Sequence, residues 1–172
     1  LPTVKALICD CNPAGFRMVA DSAIGRNGQP WFVPDFGSAW RWKVMVAVRI
    51  GRLGKCIAPK FARRYFDSMT LLFVPECDAP EASVLLGCMD GAAVCGSWVD
   101  ITESVRVDSA ESVGFHEFGF EALAALVSRC VTLKTGDLLA VDLPDVVWRD
   151  ALAGCRVNSL LNGTPVLSFN IK

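Results

Sequence analysis

The chain has 172 residues, with 17 Lys and Arg against 18 Asp and Glu and a formal net charge of −1. That balance leaves no electrostatic footprint for nucleic acid, and no apolar run approaches the ~20 residues that a membrane span requires. Apolar residues make up 52% and charged residues 20%, below the roughly 25% charge of an average globular chain, which predicts a β-rich core or a subunit interface and argues against disorder.

The length fits one domain, 1–172, with a core that needs no staples. LPTVKALICDCNPAG lacks a basic segment followed by a long apolar one, so it does not read as a secretory signal, and a cytoplasmic location is expected. VKALIC (4–9) is a short apolar strand. In NGQPWFVPDF, the Asn27-Gly28 turn, Pro30 and Pro34 bracket a short extended piece. The clearest strand is WRWKVMVAVRI (40–50). Trp40, Trp42, Val44, Val46, Val48 and Ile50 form one apolar face, and Arg41, Lys43, Met45, Ala47 and Arg49 form the other. One side then packs into a core while the other meets a pocket, a partner or water.

RIGRLGKCIAPKFARR (49–64) is the densest basic stretch. Its charges are spaced through apolar positions, which reads as the solvated face of a strand, loop and helix rather than a phosphate-binding patch. Residues 57–66 read as a short helix, MTLLFV (69–74) as a buried strand, and 94–101 and 105–107 as further strands. FGFEALAALVSRCV (118–131), apolar at helical spacing and free of proline, is the main helix. LLAVDL (138–143) is a strand ended by Pro144. SLLNGTPVLSFNI is a hairpin, because Asn162-Gly163 supplies the positive φ angles of a type I′ turn. Many short strands with few helices indicate an α+β domain rich in β.

The eight cysteines, at 9, 11, 56, 77, 88, 95, 130 and 155, contain no C-x-x-C pair, and His116 is the single histidine. A zinc ribbon therefore lacks its ligands. Most of the cysteines sit in apolar runs such as VLLGCM and VSRCVTL and are expected to be reduced and buried. Cys77, between Glu76 and Asp78, is a poor nucleophile because both carboxylates disfavour its thiolate. His116 beside Glu117 is read as a surface pair, and Asp21-Ser22 as a turn or helix cap.

NGQPWFVPDF, VRIGRLGKCIAPKFARRYFDSMTL, LVSRCVTLKTGDLL and LNGTPVLSFNIK occur in an order that resembles the C-terminal catalytic domain of the fumarylacetoacetate hydrolase family. This family includes acylpyruvate hydrolases, oxaloacetate decarboxylases and isomerases of dicarboxylic dienoates. The resemblance covers most of the chain and is strongest at 21–74 and 118–140. It implies a β-rich mixed roll with one main helix (118–131) and a C-terminal hairpin, assembled as a homodimer. It also implies chemistry on a magnesium or manganese ion held by carboxylates, because hard cations need several oxygen ligands.

The residues that match the family's site depart from its pattern. Its E-x-E pair falls on Lys43 and Met45, and its third carboxylate falls on Val74. An ammonium and a thioether cannot replace carboxylates on magnesium. The lysine of its K-x-F-D segment falls on Gly87 in LGCMDG, with Asp90 kept, and its T-G-T-P loop reads VDLP at 141–144. The N-terminal segment carrying a His and a Glu, and a loop in the middle, are missing from the pattern.

The resemblance therefore predicts a pseudoenzyme with no metal cofactor, binding a small dicarboxylate or a protein partner. The alternative is a divergent hydrolase, decarboxylase or isomerase of acylpyruvate-like or dicarboxylic oxo-acids, with magnesium or manganese in a site rebuilt from Glu76, Asp78 or Asp90. A damaged gene product is the third reading. A residual pocket is expected from Arg41, Lys43, Met45, Asp78, Asp90 and Asp142. In the sharper form of that expectation, Lys43 stands in for the cation beside Asp90 or Asp78. In the simpler form, Lys43 and Arg41 snorkel to solvent and Asp90, before Gly91, is a turn residue.

Overall fold

A computed structural model of the chain describes residues 5–9, 16–78, 85–145 and 147–172. Its main sheet is mixed and runs in the order β2-β1-β9-β4-β5-β6-β3. The strands are β1 (Lys5–Cys9), β2 (Phe16–Ala20), β3 (Ile24–Arg26), β4 (Arg41–Ile50), β5 (Phe66–Glu76), β6 (Ala93–Cys95) and β9 (Leu138–Asp142). A short β10 (Arg149–Asp150) pairs with the start of β4. Two hairpins stand apart from the sheet: β7 (Ser104–Val105) with β8 (Val113–Gly114), and β11 (Arg156–Leu161) with β12 (Thr164–Asn170). The helices are α1 (Pro59–Ala62) and α2 (Phe120–Cys130).

The connectivity forces the sheet to curl. β2 and β3 lie at opposite ends of the strand order, yet one 3-10 turn, Asp21–Ala23, joins them. Three residues reach about 10 Å at full extension, so the two ends approach each other and the sheet becomes a roll. The Ala20 N–H donates across to the Gly87 carbonyl at 3.0 Å, and Val19, Ala23 and Ile24 share one apolar cluster.

β4 runs through the middle of this roll, antiparallel to both β5 and β9. Its even positions face outward, where Trp42 and Phe73 stack at 5.3 Å and Phe73 meets Phe169 of β12 at 5.2 Å. Its odd positions face inward, where Met45 and Ala47 are buried with Ala6, Ile8, Leu72, Val74, Ala93 and Ala140. The expectation that this second face meets a pocket, a partner or water is corrected along its middle. The curl turns that face inside, and small side chains fill the narrow interior.

The main helix starts two residues later than its apolar pattern. Gly119 takes φ 68°, which separates α2 from a 3-10 turn at Phe115–Phe118. Phe120, Leu123, Ala124 and Val127 of α2 are buried, and the Ser128 hydroxyl accepts the Ile57 N–H at 2.8 Å. The helix predicted at 57–66 contracts to α1, with Pro59 in its first turn, followed by a 3-10 turn at Arg63–Tyr65. Phe66 already belongs to β5. The strand predicted at 94–101 ends at Cys95, and the remainder touches the sheet through a single Met69–Val99 bridge. Of 105–107, Val105 lies in β7 and Val107 bridges Leu161. The predicted hairpin is present, with Asn162 at φ 51° and Gly163 at φ 81°.

The cysteine expectation is corrected. Cys77 is buried, whereas Cys56, Cys88, Cys130 and Cys155 are exposed; Cys11 lies outside the described residues. An apolar run does not bury each of its members: Cys130 is the last residue of α2, where the helix leaves the core, and Cys88 sits in a turn. Cys95, half-buried on β6, behaves differently. Burial pushes its thiol up to about 12, against the opposing charge of Arg49. The folded state holds this proton more tightly than the unfolded one, so the associated stability is complete below the ordinary thiol range and fades as pH rises through it. At pH 8, iodoacetamide should label Cys130 and Cys155 well before Cys95. Equal labelling rates, read by peptide mass spectrometry, would contradict this burial.

Gly96 marks a close approach between the sheet and the C-terminal hairpin. A Cβ there would lie 2.7 Å from the Val166 carbonyl and 2.8 Å from the Thr70 hydroxyl. Gly96→Ala should cost about 1–3 kcal/mol by overpacking, measured as a lower urea midpoint at unchanged slope. An unchanged midpoint would mean that β5 and β12 separate without penalty.

Candidate functional site

The three positions that the resemblance assigned to metal carboxylates converge. Lys43 pairs with Val74 across β4 and β5, and Met45 lies two residues along on the same face. β9 places Asp142 opposite Met45 from the other side. Strand alternation points all four side chains inward, at the end of the roll where β4 begins and β5 and β9 end. Lys43 is 3% exposed, and its Nζ lies 2.6 Å from Asp142 Oδ1. The simple expectation that Lys43 snorkels is therefore corrected: it is buried and ion-paired. The sharper expectation is corrected in its partner, which is Asp142 and neither Asp78 nor Asp90. Burying an ammonium without a counter-charge costs several kcal/mol, and Asp142 is the carboxylate that the β4–β9 register delivers.

An aromatic side chain completes the site. After Asp142 the chain turns at Leu143-Pro144 and returns to the same edge of β4 as β10. This path carries Trp148 to 4.9 Å from Lys43 Nζ and 4.8 Å from Arg41 Cζ, measured to the ring centroid. Both cations thus lie against the same indole ring, whose quadrupole attracts them. Arg41 is half-exposed and meets Glu76 at 3.6 Å. Sequence reasoning missed Trp148. The available signal was a tryptophan in the loop that follows a strand facing two cations.

The remaining candidates lie apart. Asp78 is exposed, with its N–H donating to the Ser38 carbonyl at 3.0 Å. Asp90 is exposed in a turn before Gly91, whose φ is 73°. Gly87 contributes its carbonyl to Ala20. His116 and Glu117 sit on the exposed 3-10 turn, where the Glu117 carboxylate accepts the Gly114 N–H at 2.8 Å. Among the described residues, no group of three or more His, Cys, Asp or Glu is placed to hold a metal. The residues present do not fit a hard dication: the three ligand positions offer an ammonium, a thioether and an isopropyl group, and Asp142 already engages Lys43.

A second ion pair lies at the far end of β4. Arg49 Nε donates to Asp67 at 2.8 Å and the Ser68 hydroxyl adds a bond at 2.7 Å. Partial burial pushes the Asp67 carboxyl up, but these two hydrogen bonds and the Arg49 charge outweigh it and leave the group below its ordinary value.

No protein-family model matches the sequence, and none of the curated proteins is similar to it by sequence. Solved structures do share its fold. The 2-hydroxyhepta-2,4-diene-1,7-dioate isomerase from Mycobacterium marinum superimposes with a TM-score of 0.81 at 18% identity, over 99% of this chain and 75% of that one. A protein from Yersinia pestis CO92, provisionally assigned to the fumarylacetoacetate hydrolase family, gives 0.78 at 17%, over 99% and 93%. Maleylpyruvate hydrolase from Sphingobium sp. SYK-6 gives 0.78 at 16%, over 99% and 70%. The fold is therefore that of these proteins: an α+β, strand-rich mixed roll.

The ion pair at the mouth is testable by paired substitution. Lys43→Met should destabilise the fold by about 3–5 kcal/mol by leaving Asp142 buried without its cation. Lys43→Met combined with Asp142→Leu should recover most of that loss. Additive losses in chemical denaturation would show that the two residues act independently.

Proposed function

We propose that this chain is a fumarylacetoacetate hydrolase family member that keeps the family's roll without its divalent-metal catalysis. The observation that carries this reading is the Lys43–Asp142 pair, at 2.6 Å, standing where the resemblance places a metal carboxylate. Met45 and Val74 fill the other two places and are 0% and 1% exposed. The sequence order of four family-like strings and the shared fold of an isomerase and a hydrolase support the membership. The site's chemistry then becomes binding. Lys43 is matched by Asp142 and covered by Trp148, so a small dicarboxylate at this mouth meets Arg41 first. The Arg41–Glu76 contact is long and exposed, and pairs of that kind contribute about 0–1 kcal/mol, so an incoming carboxylate displaces Glu76 at little cost. The homodimer implied by the resemblance belongs to the same proposal.

The test is calorimetric titration with manganese, followed by acylpyruvate hydrolysis and oxaloacetate decarboxylation assays with the metal present. Neither heat of binding nor turnover above buffer is expected. Stoichiometric manganese binding together with turnover would overturn the reading and point to a carboxylate site assembled elsewhere. Lys43→Glu with Met45→Glu and Val74→Asp serves as the positive arm. This variant should be less stable without metal and should gain thermal stability with added manganese, as expected when an ion binds the folded state alone.

A further inference from the structure

The connection between β4 and β5 carries Arg52, Lys55, Lys60, Arg63 and Arg64, and no Asp or Glu occurs from Gly51 to Phe66. On the strands that flank the connection and on β1, four cations find carboxylates: Lys5 pairs with Asp137, Arg41 with Glu76, Lys43 with Asp142 and Arg49 with Asp67. Among the described residues, none of the five in the connection does. Lys55 donates to the Arg129 carbonyl at 3.2 Å. Lys60 and Arg64 lie 4.9 and 5.1 Å from the centre of the Phe61 ring, and Arg63 lies 4.8 Å from that of Phe115. Ring stacking orients these cations and leaves their charge unneutralised.

Two of the five line a concavity. Arg52, Arg64, Leu53, Phe61 and Tyr65 line an open concavity of about 320 Å³, at the small end of the ~300–1,000 Å³ range of ligand pockets. The pocket's walls include apolar surface that a folded chain ordinarily hides: Leu53 is 69% exposed and Phe61 43%. Its position is defined by the backbone. The Gly51 N–H donates to the Tyr65 carbonyl at 2.7 Å, closing the two ends of the connection on each other. The Cys56 N–H bonds to the Ser128 carbonyl at 2.9 Å, which ties the connection to α2. Gly54 lies so close to Ile57 and Tyr65 that a Cβ would come within 2.5 Å of the former and 2.7 Å of the latter.

We infer that this pocket binds a phosphate monoester with an apolar or aromatic body. Guanidinium forks match phosphate oxygens two by two, and Arg52 and Arg64 supply two forks that, among the described residues, no carboxylate occupies. Leu53, Phe61 and Tyr65 supply the surface for the rest of the molecule. Its small, concave shape favours a small ester over an extended polyanion. The pocket lies beyond the Ile50 end of β4, some seven residues or roughly 23 Å along the strand from Lys43. It is independent of the site at the mouth of the roll.

Phenyl phosphate is the probe, titrated into the full chain and followed by amide chemical shifts. Saturable shifts confined to the amides of 51–65 are expected. Arg52→Ala and Arg64→Ala should each weaken binding about tenfold or more, the effect of losing a charge-assisted hydrogen bond. Lys55→Ala, outside the pocket, should change it less than about twofold, the scale of a screened surface charge. Phenol should not bind, and inorganic phosphate should bind more weakly than the ester. The inference is overturned if wild-type shifts do not saturate, if all three variants lose affinity equally, or if phenol binds as well as phenyl phosphate. Capture by phosphatidylcholine vesicles containing phosphatidic acid, with no response to phenyl phosphate, would assign the cations to a lipid surface and overturn the small-molecule site.

Discussion

Joining two opposite ends of a sheet with three residues is the constraint from which the rest of this structure follows. The Asp21–Ala23 turn leaves the sheet no flat arrangement, so β2 and β3 close toward each other and the inward face loses access to water along its middle. Closure limits side-chain size as well. At the waist, Ala6, Ala47, Ala93 and Ala140 leave room for Ile8, Leu72 and Met45, and all are fully buried or nearly so. Charged groups survive on this face near the ends of the roll, where strands stop. There Lys43 and Asp142 stand at one end and Arg49 and Asp67 at the other.

The pair at the mouth couples two positions that are about a hundred residues apart in sequence. A buried ion pair contributes little net stability compared with apolar residues of the same shape, but removing one member exposes the chain to the full desolvation cost of the other. Lys43 and Asp142 are therefore locked together: neither changes alone without loss. The Lys43 ammonium offsets the buried Asp142 carboxylate, and the apolar Val74 opposite Lys43 adds no charge to this end of the roll. Trp148 then lies over Arg41 and Lys43 from the returning loop.

Local features of this fold were legible in the sequence because they depend on neighbours a few residues apart. The type I′ hairpin at Asn162-Gly163, the period-two pattern of β4 and the apolar stripe of α2 are of this kind. The resemblance singled out Lys43, Met45 and Val74, and the β4–β5 register places them on one face of the sheet. What the sequence did not reveal depends on distant parts of the chain. The burial of β4 on both faces follows from closure by β2 and β3. The choice of Asp142 over Asp78 and Asp90 follows from the β4–β9 register, and Trp148 follows from the loop that returns as β10. The early end of β6 is also long-range: beyond Cys95 the chain touches both β5, through the Gly96 N–H to the Leu71 carbonyl, and β12, through the Ser97 N–H to the Val166 carbonyl.

Charge shows the same division between strand and connection. Residues 36–66 hold eight of the 17 basic residues and no acidic one, so every neutralising carboxylate for this segment must come from elsewhere. On β4, the sheet provides them: β5 contributes Glu76 and Asp67, and β9 contributes Asp142. A strand in the middle of a sheet has neighbours on both sides, and each brings side chains from a different part of the sequence. Among the described residues, no carboxylate pairs with a cation of the connection. α2, the element it packs against, offers it the backbone carbonyls of Ser128 and Arg129 and the Ser128 hydroxyl. Backbone dipoles orient an ammonium but do not cancel its charge. Folding thus balances the cations of β4 internally and leaves those of Arg52 and Arg64 to be balanced from solution, around a cavity whose remaining walls are aromatic and aliphatic.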